Sequence, residues 1–274
     1  CELVSRIAQG LPYHDMPGLA VRRTPEGDTV ETGLPVRMRK LGEVARPAWD
    51  LFPMDNYMRY RSFLGVDRGK SMPMLASRGC PYKCTFCSSP QMWTTRYNVR
   101  DPDDIADEIA EHVERYGVRN VDFVDLTAVT KRQWTLDFCD ALERRNLDIT
   151  WQLPIGTRSE GIDDVVIKRM WETGCKNITF APESGSPRML EIFDKRLDLD
   201  HILDDIRHAR KLGMVVHVNT IIGHPKENWN DRWLNLKFLV RAAVAGADTG
   251  SAIMFHPYPG SQDFDDLMAQ GKIE

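Results

Sequence analysis

From about residue 71 onward, short runs of β-branched and aromatic residues alternate with longer segments that carry apolar residues at helical spacing. The short runs predict six strands, at 72–77, 120–125, 149–155, 176–181, 214–222 and 250–255. Between them, apolar side chains recur on one face of a helix, as Ile105, Ile109 and Val113 do. We expect each of these helices to bury that face against a sheet.

Residues typical of helix ends support these boundaries. Asp101 precedes Pro102 and Ser186 precedes Pro187, which is the order of an N-cap residue followed by proline in the first turn of a helix. Glycine is common where helices end. Four predicted helices end on a glycine just before a strand, at Gly117, Gly174, Gly213 and Gly246.

Strands that alternate with helices predict an α/β fold, in which parallel strands are joined by right-handed crossovers. Six such units are typical of a barrel, and we predict a partial (β/α)6 TIM-like barrel of parallel strands. In barrels of this kind the loops after the strands carry the chemistry. We therefore expect the functional residues where the predicted strands end.

Residues 1–70 differ from the rest because they are rich in proline and have no sustained helical period after about residue 9. Proline fixes φ and removes a hydrogen-bond donor, so this segment predicts irregular chain or small hairpins, with a turn at Pro25–Asp28. We predict two parts: an irregular N-terminal connector, 1–70, and a core, 71–274.

Composition and charge narrow the function. The 36 Lys and Arg residues against 40 Asp and Glu residues give a net charge of −4, which argues against nucleic acid as the main partner. No run approaches the roughly 18 apolar residues of a transmembrane helix, and no secretory signal is visible. We therefore expect a cytoplasmic protein with a small-molecule substrate. Because the chain begins at Cys1 and not at Met, we expect it to be part of a longer one.

Three of the six cysteines, Cys80, Cys84 and Cys87, lie close together directly after the first predicted strand. Clustered thiols in a chain without export signals indicate metal chemistry rather than disulfides. Zinc in a structural site takes four protein ligands, whereas a [4Fe–4S] cluster held by three cysteines keeps one iron open for a small molecule. A structural zinc or a redox-only cluster is the alternative.

The spacing Cys-x-x-x-Cys-x-x-Cys, with Phe86 before the last cysteine, resembles the signature of the radical S-adenosylmethionine enzymes. Three later segments resemble the G-x-E-S-G-S, G-x-P-x-E and P-x-P-G-T motifs that follow strands four, five and six in one branch of that family. They are Ala181–Ser186, Ile222–Glu227 and His256–Ser261. The chain departs from the family at Ala181, where glycine is usual, and at Ser261, where threonine is usual.

The resemblance implies that Cys80, Cys84 and Cys87 hold a [4Fe–4S] cluster whose open iron binds S-adenosylmethionine. Reduction then cleaves that cofactor to a 5′-deoxyadenosyl radical. The resemblance also places Phe86 at the adenine end of the cofactor, and Gly223 where backbone approaches adenine closely. An ordinary core aromatic and a plain strand-end turn are the alternatives for these two residues.

The remaining candidates follow strands two, three and four. Asp125 is the one acid where the family often has consecutive acids, and it is placed to accept from the cofactor's ammonium group or to serve as a turn or helix-cap acid. Arg158 matches a family arginine that faces the cofactor's carboxylate, or it is a solvated charge. Glu183 and Ser184 match positions that approach the methionine and ribose moieties.

The segments Pro12–Leu19 and Leu41–Pro53 resemble the connector that follows a cobalamin-binding domain in cobalamin-linked members of the family. The resemblance therefore implies methyl transfer to an unactivated carbon or a related radical cyclisation, with cobalamin bound mainly by a domain outside this chain. It also implies an electron donor such as flavodoxin or ferredoxin. The alternatives are a tRNA methylthiotransferase-like enzyme, which would need a basic RNA-binding module, and a non-catalytic iron–sulfur or zinc module.

Overall fold

The computed structural model describes residues 2–22, 24–35, 37–60 and 64–273. The chain divides into two compact units, Cys1–Lys40 and Leu41–Glu274. The first unit begins with helix α1 (Glu2–Ala8) and contains a hairpin of β1 (Ala20–Arg22) and β2 (Thr29–Glu31), which pair antiparallel on either side of the predicted turn at Pro25–Asp28.

The second unit contains strands β3 to β10 and helices α2 to α10. The strands are β3 (Ser71–Met74), β4 (Ser77–Arg78), β5 (Asn98–Val99), β6 (Asn120–Phe123), β7 (Thr150–Thr157), β8 (Cys175–Glu183), β9 (Val215–Ile222) and β10 (Thr249–Met254). The helices are α2 (Met54–Arg59), α3 (Ser89–Trp93), α4 (Pro102–Tyr116), α5 (Arg132–Arg145), α6 (Asp164–Glu172), α7 (Pro187–Ile192), α8 (Leu199–Leu212), α9 (Trp229–Ala245) and α10 (Gln262–Ala269).

Six of these strands form one sheet in the order β10-β9-β8-β7-β6-β3, and every neighbouring pair is parallel. The spatial order follows the chain order, so all six strands have their carboxyl ends at the same edge of the sheet. Within the part of the chain that the structure describes, β3 and β10 are the two edges and do not pair with each other. The predicted partial barrel is therefore confirmed.

The predicted helix ends are present as well. Asp101 caps α4 by accepting from the N–H of Asp103 at 2.9 Å, and Ser186 caps α7. Glycines with a positive φ end α4, α8 and α9, at Gly117, Gly213 and Gly246. Helix α6 instead ends at Thr173, and Gly174 follows it with φ +102°.

The outer face of the sheet packs on the helices through an aromatic cluster. The ring of Phe138, on α5, meets the rings of Phe123 and Trp151 edge-to-face, with 5.5 Å between centroids in both pairs. Trp134, one turn earlier on α5, stacks on Phe138 at 5.6 Å. Aromatic pairs contribute about 0.5–1.5 kcal/mol beyond the area they bury, so this cluster holds α5 firmly on strands β6 and β7.

The inner face of the sheet is polar near the start of the strands. The carboxylate of Asp122 accepts from Asn120 Nδ2 and from Gln152 Nε2, each at 2.6 Å, and Asn177 Nδ2 donates to Gln152 Oε1 at 3.0 Å. All four side chains are buried. Burial raises the pKa of the Asp122 carboxyl, and the hydrogen bonds it accepts oppose this only in part.

Residues 64–66 close this polar end of the sheet. The backbone N–H of Leu64 donates to Asp122 Oδ2 at 3.1 Å, and that of Val66 donates to Gln152 Oε1 at 3.1 Å. Between them, Gly65 has φ +82°, and a Cβ at this position would lie 2.9 Å from side-chain atoms of Gln152 and Asn177. Glycine thus lets the backbone approach the network closely.

Residues before the first barrel strand also pack within the second unit. Arg46 lies 2.9 Å from the carboxylates of both Asp104 and Glu111 on α4, and Met54 and Met58 are buried in the core that the barrel strands share. The compact unit that contains the barrel therefore begins at Leu41. Among the described residues, no helix combines the length and apolarity that crossing a bilayer requires.

Replacing Gln152 by Ala should destabilise the fold, because it leaves the Val66 N–H without its acceptor and removes a donor from the buried Asp122. An unsatisfied buried group costs about 1–3 kcal/mol, so we expect a loss of roughly 2–5 kcal/mol in the free energy of unfolding, measured by urea denaturation. The control is Gln133→Ala on the exposed face of α5, which should change stability by less than about 0.5 kcal/mol. Equal stability of the two variants would contradict the prediction.

Candidate active site

The cluster loop, Gly79–Cys87, follows β3 and β4 at the carboxyl edge of the sheet. Its position is set by β4, which pairs antiparallel with β5, and by Gly79. Gly79 has φ +86°, and a Cβ there would lie 1.9 Å from the carbonyl oxygen of Arg96. Any side chain at this position would displace the loop, so glycine is required where the loop begins.

The loop carries Cys80, Cys84 and Cys87 as free, partly exposed thiols, whereas Cys139 and Cys175 are fully buried elsewhere. Burial raises the pKa of Cys80 and Cys84, and repulsion from the neighbouring loop thiols adds to the rise, so the thiols lie close to one another. Within the described ranges, no three His, Cys, Asp or Glu side chains are grouped around a point that could hold a single metal ion. Ligands of a [4Fe–4S] cluster bind separate iron atoms and need no such common point.

Arg158, at the end of β7, brings a positive charge to this loop. Its guanidinium Nη1 is 3.8 Å from Cys84 Sγ, and its Cζ lies over the ring of Tyr82, 3.6 Å from the centroid. It also donates to Glu160 Oε1 at 2.8 Å and to the carbonyl oxygen of Arg196 at 3.1 Å. The side chain is 7% exposed, so this arginine is a positioned group and not the solvated charge of the alternative reading.

Glu183 and Lys195 supply a second charge pair at the same edge. Glu183 ends β8 with φ +69°, a left-handed conformation that is costly for a residue with a side chain and that is common at functional sites. Its carboxylate accepts from Lys195 Nζ at 2.9 Å, and Lys195 is 4% exposed. A lysine buried to this degree requires a negative partner, which Glu183 supplies.

The electrostatics of the loop favour an anionic group. Burial raises the pKa of the Cys84 thiol to about 11, and the positive charges of Lys195 and Arg158 act against that rise. Burial also raises the pKa of the Cys80 thiol, and the same two cations oppose that rise. Because iron binds thiolates, three thiols beside two buried cations suit an anionic iron–sulfur cluster, and cluster binding would release their protons.

Asp125 follows β6, as predicted, and is buried. Both of its carboxylate oxygens lie 3.1 Å from the backbone N–H of Ala76, and Ser77 Oγ donates to one of them. Burial raises its pKa to about 6. These contacts tie the end of β6 to the segment that leads into the cluster loop. The predicted contact with the cofactor's ammonium group stays a prediction.

The other candidate residues, Ser184, Gly223 and Phe86, differ in their burial and contacts. Ser184 is 2% exposed, and its hydroxyl accepts from the N–H of Ser186 at 3.1 Å. Gly223 is exposed, has φ +80°, and a Cβ there would meet nothing closer than Met254 Cγ at 3.9 Å, so the space beside its backbone is open. Phe86 is half-buried and packs edge-to-face on Phe193 with 5.2 Å between ring centroids.

Two residues of the site were not predicted from the sequence. Tyr82 and Lys195 lie within or just beyond recognised motifs, but no pattern of spacing marks either of them. Lys195 is twelve residues after Glu183, and only the turn of α7 back towards β8 brings the two together. The departure at Ala181 is accommodated by Gly156 on the neighbouring strand, where a Cβ would lie 2.5 Å from that of Ala181.

The sequence profile of the radical SAM superfamily matches residues 74–239. An uncharacterized methyltransferase from Pyrococcus horikoshii is 28% identical over 262 residues, which cover 95% of this chain and 54% of that protein. The anaerobic magnesium-protoporphyrin IX monomethyl ester cyclase of Rubrivivax gelatinosus is 25% identical over 245 residues, which cover 89% of this chain and 42% of that protein.

Among solved structures, the cobalamin-dependent S-adenosylmethionine radical enzyme OxsB, with aqua-cobalamin and S-adenosylmethionine bound, superposes with a TM-score of 0.78. The match covers 99% of this chain and 43% of that one at 14% identity, so it establishes a shared fold. The chain spans about half the length of the curated relatives it matches. Since the profile extends from the end of β3 into α9 and includes the whole cluster loop, the chain belongs to the radical SAM superfamily.

Proposed function

We propose that this chain is the catalytic barrel of a cobalamin-dependent radical enzyme that methylates an unactivated carbon of a small molecule or carries out a related radical cyclisation. The observation that carries the proposal is the meeting of three free thiols, Arg158 and the Glu183–Lys195 pair at one edge of the sheet. When bound, a [4Fe–4S] cluster with S-adenosylmethionine supplies a carbon-centred radical from the reductively cleaved cofactor.

Each charged residue and each cysteine of the candidate site has a definite role in this proposal. Cys80, Cys84 and Cys87 hold the cluster as thiolates. Arg158 and Lys195 lower the cost of placing an anionic group in a partly buried loop, and their donors suit the carboxylate of S-adenosylmethionine. Glu183, whose strained backbone turns its carboxylate towards Lys195, orients that ammonium and is a hydrogen-bond acceptor for the methionine or ribose part of the cofactor.

Phe86, Ser184 and Gly223 complete the proposed cofactor site. Gly223 leaves open space beside an exposed backbone, which a flat adenine ring can approach. Phe86 offers a half-buried aromatic face next to the cluster ligands. Ser184 fixes the turn after β8, and Asp125 fixes the segment before the cluster loop.

The proposal that the enzyme uses cobalamin is supported by proteins that this chain resembles. The superposed OxsB structure contains cobalamin, and the curated relatives named above include a methyltransferase and a cyclase. A methylthiotransferase acting on tRNA has less support, because the net charge of −4 does not favour RNA. We place the cobalamin-binding domain outside these 274 residues, with 1–70 as the connector.

The cluster also needs an external reductant. We propose flavodoxin or ferredoxin as the class of electron donor, because both carry single electrons at low potential to protein-bound clusters. Five free thiols among the described residues further suit a reducing compartment, and we propose the cytoplasm.

Replacing Cys80, Cys84 or Cys87 by Ala should abolish cluster binding, because each thiolate holds a different iron. The measurement is iron and sulfide content, together with the visible absorption of anaerobically reconstituted protein. Cys139→Ala and Cys175→Ala are matched controls, since both thiols are buried away from the loop, and they should retain the cluster. Iron at wild-type level in Cys84→Ala would refute the assignment of these ligands.

Replacing Glu183 by Ala should weaken S-adenosylmethionine binding to the cluster-loaded protein. A hydrogen bond to a charged group is worth roughly 1.5–3 kcal/mol, which corresponds to a dissociation constant about 10–100 times higher. Isothermal titration under anaerobic conditions measures it. Glu172→Ala, an exposed glutamate on α6, is the control, and an unchanged dissociation constant in Glu183→Ala would make Glu183 a structural residue.

This chain alone should cleave S-adenosylmethionine to 5′-deoxyadenosine but should not form the methylated or cyclised product. The cluster and its cofactor site lie within the barrel, whereas the proposed cobalamin site does not. The measurement compares both products for this chain and for a longer parent protein that includes the upstream domain, each supplied with cobalamin and a chemical reductant. Product formation at equal rates would show that the barrel is self-sufficient and would remove cobalamin from the proposal.

A further inference from the structure

Thr85, the first of the two residues between Cys84 and Cys87, is held at both its backbone and its side chain. The N–H of Thr85 donates to the carbonyl oxygen of Phe193 at 3.1 Å, and its own carbonyl oxygen accepts from the N–H of Asp263 at 3.0 Å. Its hydroxyl lies 3.0 Å from Asp263 Oδ2 and 3.2 Å from the carbonyl oxygen of Ile192. The centre of the cluster loop is thereby bound to the end of α7 and to the first turn of α10.

The Asp263 carboxylate, which accepts a hydrogen bond from the Thr85 hydroxyl, lies beside a histidine. His224 Nε2 lies 3.4 Å from Asp263 Oδ2, and both side chains are buried. The other ring nitrogen, Nδ1, accepts from the N–H of Lys226 at 3.2 Å. Because Nδ1 is an acceptor, the proton of the neutral ring belongs on Nε2, the nitrogen that lies nearer to Asp263.

Aromatic packing keeps the histidine ring in this orientation. His224 meets Phe193 edge-to-face at 5.3 Å and Phe255 at 4.6 Å between centroids. Phe193 is fully buried and also packs against Phe86, the residue that follows Thr85. The ring is therefore held between Phe193, which follows α7, and Phe255, which follows β10.

We propose that Thr85, Asp263 and His224 form a latch that positions the cluster loop, and that His224 acts on the loop through Asp263. The latch joins three segments far apart in sequence: the loop between Cys84 and Cys87, the turn after β9, and the start of α10. Its role for the cluster rests on the proposed function, but its effect on the loop is testable in protein that contains no cluster.

The reason to expect a specific effect is geometric. Cys84 directly precedes the latched residue and Cys87 lies two positions after it. The N–H of Cys87 donates to the carbonyl oxygen of Cys84 at 3.1 Å, so residues 84–87 form one tight turn. Releasing Thr85 would let the two flanking thiols move relative to each other. Cys80 lies before the turn and is less dependent on it.

The experiment measures alkylation rates of individual thiols by mass spectrometry in the cluster-free protein. Thr85→Val replaces the hydroxyl by a methyl group of similar size, and Asp263→Asn removes the charged acceptor. We expect either change to raise alkylation of Cys84 and Cys87 by about tenfold, the effect of losing a hydrogen bond to a charged group on local opening. Thr85→Ser keeps the hydroxyl and should show the wild-type alkylation rates.

Controls within the same protein separate a released loop from a loosened fold. Cys139 and Cys175 are fully buried and should keep their wild-type rates in every variant, and Thr135→Val removes a buried hydroxyl of α5 without touching the latch. The double variant Thr85→Val/Asp263→Asn should react no faster than the faster single variant, because the two residues share one interaction. Unchanged rates at Cys84 and Cys87, or a rise shared by Cys139 and Cys175, would overturn the proposal.

A second readout applies to the reconstituted protein. The electron paramagnetic resonance spectrum of the reduced cluster should be the same in wild type and Thr85→Ser and should shift in Thr85→Val and Asp263→Asn, since it reports the geometry of the cysteine ligands. A spectrum identical in all four proteins would contradict a positioning role. If the wild-type chain binds no cluster at all, the proposed function fails, while the alkylation rates still decide whether the latch exists.

Discussion

The parallel arrangement of the six strands is the constraint on which the site depends. Parallel strands place all their carboxyl ends at one edge, so loops from distant parts of the chain must meet there. Arg158, Glu183 and His224 come from the ends of three different strands. Arg158 contacts Cys84, His224 contacts Asp263 beside Thr85, and Glu183 pairs with Lys195, whose charge acts on the loop thiols. A mixed or antiparallel sheet would divide these residues between two edges.

Charge at that edge explains the choice of side chains. A partly buried loop with three thiols is a poor place for negative charge, since burial favours the neutral thiol. Arg158 and Lys195 offset that cost, and each cation is held by a carboxylate, at Glu160 and Glu183. The paired arrangement holds both cations at the edge of the sheet where the loop thiols lie.

The two ends of the sheet serve different purposes. At the amino-terminal end, Asp122 and Gln152 form a buried hydrogen-bonded network to which the backbone of residues 64–66 also donates. Such networks tie neighbouring strands to one packing arrangement. The carboxyl end instead retains strain at Glu183 and open space beside Gly223, which are features of a site that must receive a ligand. Stability and chemistry are thus separated along the strands.

The sequence by itself determined the strands, the helix caps and the cluster loop, because periodicity, capping residues and cysteine spacing are local properties that survive without tertiary context. Its motifs also predicted Arg158 and Glu183 as candidate site residues. The tertiary structure alone decided which of these residues meet: Lys195 reaches Glu183 only because α7 turns back, and Thr85 reaches Asp263 across 178 positions of the chain. It also placed Asp125 against Ala76 and Ser77. Contacts of this kind depend on how elements pack, and no spacing along the chain encodes them.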